Sequence, residues 1–179
     1  VVVTMYGALV NIYRSNMRWT MPSKLLVLSL FGWVAGGFGA VLDSTIRVNH
    51  VMHNTQWVPG HFHFYLLLGV LAMALAMMYH VIGARSNAPP NSGADRLGYP
   101  LYVAGGLIFI FAFLDAGRLS VPRRMYPHLE AWMPTDAMGS VGGLLVLLAM
   151  IYFAIRIITG LLRKPPDEVA RGGIADAAG

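Results

Sequence analysis

Cysteine is absent from the 179 residues. That excludes disulfides, thiolate-ligated zinc and cysteine-held iron–sulfur clusters within the chain. Charge is scarce too: Asp, Glu, Lys and Arg make up 12% of the chain, where a soluble globular domain carries about a quarter. Acids are the rarer sign, 8 against 13 basic residues, giving a formal net charge of +5. No basic cluster is interleaved with aromatics, so nucleic acid is not an expected partner. Apolar residues fill the remainder, 56% of the chain, with a mean hydropathy of +0.59. This is the composition of an integral membrane protein, in contact with lipid, and its basic surplus reads as loop charge that orients the helices.

Crossing a bilayer takes roughly 20 predominantly apolar residues. Four stretches meet that length, giving expected spans at about 24–43, 59–83, 99–117 and 139–160. The fold class is therefore all-α membrane protein with four full transmembrane helices. Residues 1–13 are also apolar but cover only about 20 Å of a hydrocarbon layer about 30 Å thick. They read as part of a fifth helix, which makes the chain a fragment or one completed by another polypeptide. Gly32, Gly36, Gly37 and Gly39 lie in the first full span. Small residues there serve close helix packing, the favoured use, or close approach to a planar cofactor. Residues 46–58 read as a loop carrying His50 and His53, and 84–99 as a polar connector. Residues 119–136 form a loop dense in arginine, proline and aromatics. The membrane domain is placed at 1–166 and a polar tail at 167–179. Asp115 and Arg118 are spaced to pair on one helix face, while His80 and Arg156 are placed to snorkel.

The run His53-Asn54-Thr55-Gln56-Trp57-Val58-Pro59-Gly60-His61-Phe62-His63 opens the second full span. Each helical residue advances by about 100°, so His61 and His63 point to opposite sides of one helix. From there they cannot share one small ion, but each can hold a separate large cofactor. Zinc asks for three or four converging ligands, whereas haem iron takes a single axial histidine. A histidine in an apolar helix also serves as a hydrogen-bonded packing residue, and that use stays open here. Counting Lys and Arg on alternate sides assigns Arg14, Arg18, Lys24, Arg85, Arg96, Arg163, Lys164 and Arg171 to one side. Arg47, Arg118, Arg123 and Arg124 fall on the other. The richer side is cytoplasmic, and the C-terminus with it. His61, His63 and the Arg123-Arg124 pair then share the outer face. Adjacent arginines suit carboxylates such as haem propionates, although a solvated loop pair is the commoner situation.

The stretch GGFGAVLDSTIRVNHVMHNTQWVPGHFH, Gly36 to His63, resembles subunit I of the haem–copper oxidases, the catalytic subunit of cytochrome c oxidase. It is most similar to the B-type branch, typified by the ba-type oxidase of Thermus. Val121-Pro122-Arg123-Arg124 matches that family's propionate-binding arginines. The resemblance runs to about Pro166 and corresponds to the C-terminal part of a bundle of twelve or more helices. It implies two haems of unspecified type, with His61 on the high-spin iron and His63 on the low-spin iron. Arg123 and Arg124 would hold propionates, and His53 would partner a propionate of the high-spin haem. Asn54 stands where many A-type members carry the Asp of a magnesium site, so no magnesium is expected. Asn49 stands where B-type relatives have an Asp.

The family's binuclear-centre copper is held by histidines of earlier helices, which this sequence does not contain. The implied partners are the remaining N-terminal helices of subunit I, a copper-containing subunit II, and cytochrome c or a small copper protein as donor. The implied function is part of a terminal respiratory oxidase that reduces O2 to water, coupled to proton translocation. Its location would be a bacterial or archaeal cytoplasmic membrane. The alternatives are a nitric oxide reductase of the same superfamily and a cofactor-free transporter or assembly subunit. A dihaem cytochrome b, whose paired histidines are widely spaced, suits H-x-H poorly.

Overall fold

A computed structural model describes residues 2–86 and 95–163. The predicted tail at 167–179 and the middle of the 84–99 connector lie outside the described residues. Seven α-helices follow in order: α1 Val2–Arg14, α2 Met21–Ser44, α3 Ile46–Met52, α4 Trp57–His63, α5 Ala72–Ser86, α6 Asp95–Arg118 and α7 Met133–Leu162. A π-helical stretch, Phe64–Leu71, joins α4 to α5, and a short 3-10 turn, Glu130–Trp132, leads into α7. Among the described residues, four helical rods are long and apolar enough to cross a membrane: Met21–Ser44, Trp57–Arg85, Asp95–Arg118 and Glu130–Leu162.

The start of α2 is fixed locally. Pro22 occupies its first turn, where a missing N–H costs nothing, and Ser23 Oγ accepts from the Thr20 N–H at 2.8 Å. The rod formed by α4, the π stretch and α5 is central, with α2 against one side and α6 against another; α7 packs on α6 and on α5. Met21, Leu25, Leu68, Tyr102, Ile110 and Phe153 are fully buried between these rods. On the outer face of α7, Leu144, Leu147, Ile151, Ile155 and Ile158 stay about half exposed, as side chains facing lipid would.

Glycines set how closely α2 approaches the central rod. A Cβ at Gly32 would lie 2.4 Å from the Gly69 nitrogen, and one at Gly36 would lie 2.9 Å from the Tyr65 ring. Gly32, Gly36 and Gly39 are all buried. These three serve helix packing, the favoured expectation; Gly37 instead meets only the Tyr65 hydroxyl, 3.6 Å away. The π stretch widens the helix directly after the histidine pair, and such widening is often found at functional sites. The Tyr102 hydroxyl donates to the Leu67 carbonyl inside it.

Several local expectations change. Residues 46–52 are helical rather than loop, and α7 begins at Met133, inside the stretch read as loop to 136. Arg156 does not simply snorkel: its Nε lies 3.7 Å from the buried Asp95 carboxylate. That carboxylate also accepts from the Tyr79 and Tyr152 hydroxyls, at 3.1 and 2.6 Å. A buried anion attracts the cation more strongly than the interface does. Arg118 and Asp115 pair at 2.8 Å, as their spacing predicts.

Candidate functional site

His61 and His63 face different helices. The His61 Cβ sits against Gly39 of α2, where an added Cβ would come within 2.9 Å. The His63 ring stacks on Phe113 of α6, with centroids 5.4 Å apart and planes at 6°, and meets the edge of Phe109 at 5.2 Å. An i, i+2 spacing on a helix requires such divergence.

The Nδ1 partners of the two rings also differ. His63 Nδ1 lies 2.5 Å from the Pro59 carbonyl oxygen, one turn back on the same helix. An acceptor-only carbonyl there assigns the proton to Nδ1 and leaves the Nε2 lone pair for a metal. His61 Nδ1 lies 2.9 Å from Asp43 Oδ2, at the end of α2. The approach is out of line for a hydrogen bond, which leaves Nδ1 formally unsatisfied. The 2.9 Å distance makes the Asp43 carboxylate the charged neighbour of Nδ1 without completing a hydrogen bond in this geometry. Nε2 of neither ring meets a hydrogen-bonding group among the described residues.

The arginine loop is tied to the start of the histidine helix through backbone. Gln56 N–H donates to the Val121 carbonyl at 2.9 Å, and Arg123 N–H donates to the Asn54 carbonyl at 2.7 Å. Thr55 and Pro122 form an isolated antiparallel bridge between those two bonds. Arg123 Nε also donates to Asn54 Oδ1 at 3.3 Å. Asn54 and Arg124 adopt positive φ, 66° and 65°, a conformation of modest cost that asparagine tolerates better than arginine. At Gly117 of α6 a Cβ would fall 2.3 Å from the Trp57 nitrogen, so glycine alone admits the strand-like crossing at this point.

One cleft of about 430 Å³ is lined by Gln56, Val58, Pro59, His61, Phe62, Phe113, Arg123 and Arg124. Among the described residues neither arginine pairs with a carboxylate. Two guanidiniums without an acidic partner, beside an imidazole with a free Nε2, fit a planar iron macrocycle that carries carboxylates. His63 points to another face of the rod and is not in this lining, though Phe113 and Pro59, which it touches, are. His53 is exposed and caps α3; it lines a neighbouring cleft of about 510 Å³ with Ser44, Ile46, Asn49, His50 and Asn54. Asn54, which lines that second cleft, accepts from Arg123 of the first.

Asp43 and Trp57 are the residues that sequence reasoning missed. Trp57 Nε1 donates to Asp43 Oδ1 at 2.8 Å, so the carboxylate lies between the indole and His61. A signal existed: Asp43 is the sole acidic residue before Asp95. At the end of an apolar helix it reads as an ordinary stop.

The family model described as "Cytochrome C and Quinol oxidase polypeptide I" matches residues 1–145. Cytochrome c oxidase subunit 1 of Thermus thermophilus is 31% identical over 83% of this chain and 29% of its own length. Probable quinol oxidase subunit 1 of Staphylococcus haemolyticus is 19% identical over 92% of this chain and 25% of its own length. A solved cryo-EM structure of a haem–copper terminal oxidase dimer has a TM-score of 0.72 at 23% identity, over 82% of this chain and 27% of that one. At that identity the structural likeness concerns the fold. The chain thus spans 25–29% of the length of these proteins.

Proposed function

Because this chain belongs to the cytochrome c and quinol oxidase polypeptide I family, the catalytic subunits of haem–copper oxidases, we propose that it is part of a terminal respiratory oxidase. The complete enzyme reduces O2 to water and couples this to proton translocation across a bacterial or archaeal cytoplasmic membrane. The observation that carries the reading is the cleft where His61 meets Arg123 and Arg124, neither guanidinium pairing with a carboxylate among the described residues. His61 Nε2 would hold the iron of the high-spin haem, and His63 Nε2, on the opposite side of the rod, would help hold that of the low-spin haem. When bound, the haems supply one-electron chemistry and the iron at which O2 is reduced.

The chain's own contributions are positional. The Pro59 carbonyl sets the tautomer and orientation of His63. The aromatic walls of Phe109 and Phe113 exclude water beside that ring. Arg123 and Arg124 hold propionates at the membrane edge, and His53 assists at the high-spin haem propionate through the adjoining cleft. Copper, further haem ligands and the electron-accepting subunit come from outside this chain: the remaining helices of subunit I and a copper-containing subunit II. The membrane domain is taken as 1–166, with the polar tail 167–179 in the cytoplasm.

Cytochrome c or a small copper protein is the proposed donor, supported by 31% identity to the cytochrome c oxidase subunit against 19% to the quinol oxidase one. Metal and haem analysis of the intact complex from its native membrane tests the whole reading. Copper with two haems per catalytic subunit is expected. Two haems with extra non-haem iron and no copper would reassign the complex as a nitric oxide reductase. Absence of haem would reduce His61 and His63 to packing residues.

A further inference from the structure

We propose that Asp43 is a positioning residue which strengthens His61 as an iron ligand and so makes the chain's two axial imidazoles unequal. The inference rests on the haem assignment above and extends it to a residue on another helix.

The two histidines provide an internal contrast. His63 Nδ1 faces a neutral backbone carbonyl of its own helix, while His61 Nδ1 faces a side-chain carboxylate of α2. A hydrogen bond to that ionised acceptor, completed by a turn of the His61 ring when iron is bound, would be about twice as strong as a neutral one. An outer-shell carboxylate also raises the basicity of a metal-ligating imidazole. Asp43 is held for this task. Trp57 Nε1 occupies Oδ1 at 2.8 Å, leaving Oδ2 directed at the ring. No Lys or Arg among the described residues pairs with Asp43, so its charge is not diverted. Side-chain exposures of 16% for His61 and 18% for Asp43 keep the interaction poorly screened.

The placement follows from helix geometry. Gly39 and Asp43 are one turn apart on α2 and share a face. Gly39, lacking a Cβ, lets the His61 Cβ seat against α2, and the next turn then brings Asp43 beside the imidazole. A more basic axial ligand donates more density to iron and favours its ferric state. The high-spin haem therefore has a stronger iron–histidine bond and a lower potential than a carbonyl partner would give it.

The test uses the complete oxidase complex, with resonance Raman of the ferrous high-spin haem and redox titration of both haems. Asp43→Asn replaces the anion with a neutral acceptor. Its iron–histidine stretching band moves to lower frequency and the high-spin potential rises, while the low-spin potential holds. Trp57→Phe removes the competing donor, and both shifts reverse sign. If Asp43→Asn does not assemble, the sign in Trp57→Phe decides. An unmoved band and potential with haem in place overturns the inference, as does an equal shift at both haems; Asp43 then only ties α2 to α4. His61→Ala separates this from the underlying assignment. Loss of the high-spin haem there, with the Asp43 and Trp57 variants unmoved, overturns the inference alone. Retention of that haem overturns the assignment itself.

Discussion

At the scale of single residues, the proposed site divides into ligands and charges that can be tested apart. His61→Ala is expected to remove the high-spin haem spectrum, and His63→Ala the low-spin one, each leaving membrane insertion intact; haem spectra of purified complexes check this. An unchanged spectrum in either variant would remove that histidine from the site. Arg124→Ala deletes a positive charge beside the proposed propionates, which stabilises oxidised haem and lowers its potential. For an exposed guanidinium screened by solvent the shift should be on the order of tens of millivolts, with haem content largely kept. Redox titration giving equal potentials would mark a merely solvated pair. The divergence of His61 and His63 was legible from their spacing alone, because helical geometry is local. Their Nδ1 partners were not equally so. Pro59 is four residues from His63 and on the same face, whereas Asp43 lies 18 positions before His61 on another helix.

At the scale of elements, the glycines of α2 make the clearest test of packing. A methyl at Gly32 would meet backbone at 2.4 Å, and backbone cannot swing aside as a flexible side chain does. Gly32→Ala should therefore destabilise the bundle by about 1–3 kcal/mol, the usual range for overpacking. Gly37→Ala, which meets only the Tyr65 hydroxyl at 3.6 Å, should be close to neutral. Thermal denaturation of the detergent-solubilised complex compares them, and equal midpoints would refute the close approach. Periodicity and length were enough to read four long helices. They did not reveal the π stretch at Phe64–Leu71: one extra residue per turn leaves the apolar character unchanged, and Tyr102, which bonds within it, belongs to α6. The short α3 also escaped notice, because seven residues with histidine, asparagine and arginine show no apolar stripe.

At the scale of the molecule, polar ties between the described rods gather near both ends. Near the histidines, the 54–56 and 121–123 backbones pair across the mouth of the cleft. At the far end, buried Asp95 of α6 gathers Tyr79 of α5 with Tyr152 and Arg156 of α7. Asp95→Ala would remove the acceptor of the buried Tyr79 hydroxyl and one acceptor of Tyr152, at about 1–3 kcal/mol for a buried group left unsatisfied. A lower denaturation midpoint is expected, with Asp95→Asn milder because it keeps an acceptor oxygen; wild-type midpoints in both would show that this cluster does not tie the rods. The sequence by itself determined the membrane class, the number of long helices, the opposed directions of His61 and His63, and the motifs that resemble the oxidase family. Each of these is carried by composition or by spacing within one segment. Only the tertiary structure decided that Asp43 faces His61, that Asn54 meets Arg123, and that Arg156 turns to Asp95. Those pairs join different helices or the loops between them, and which residues meet depends on the rotation, depth and separation of the rods, set by packing of all their faces together.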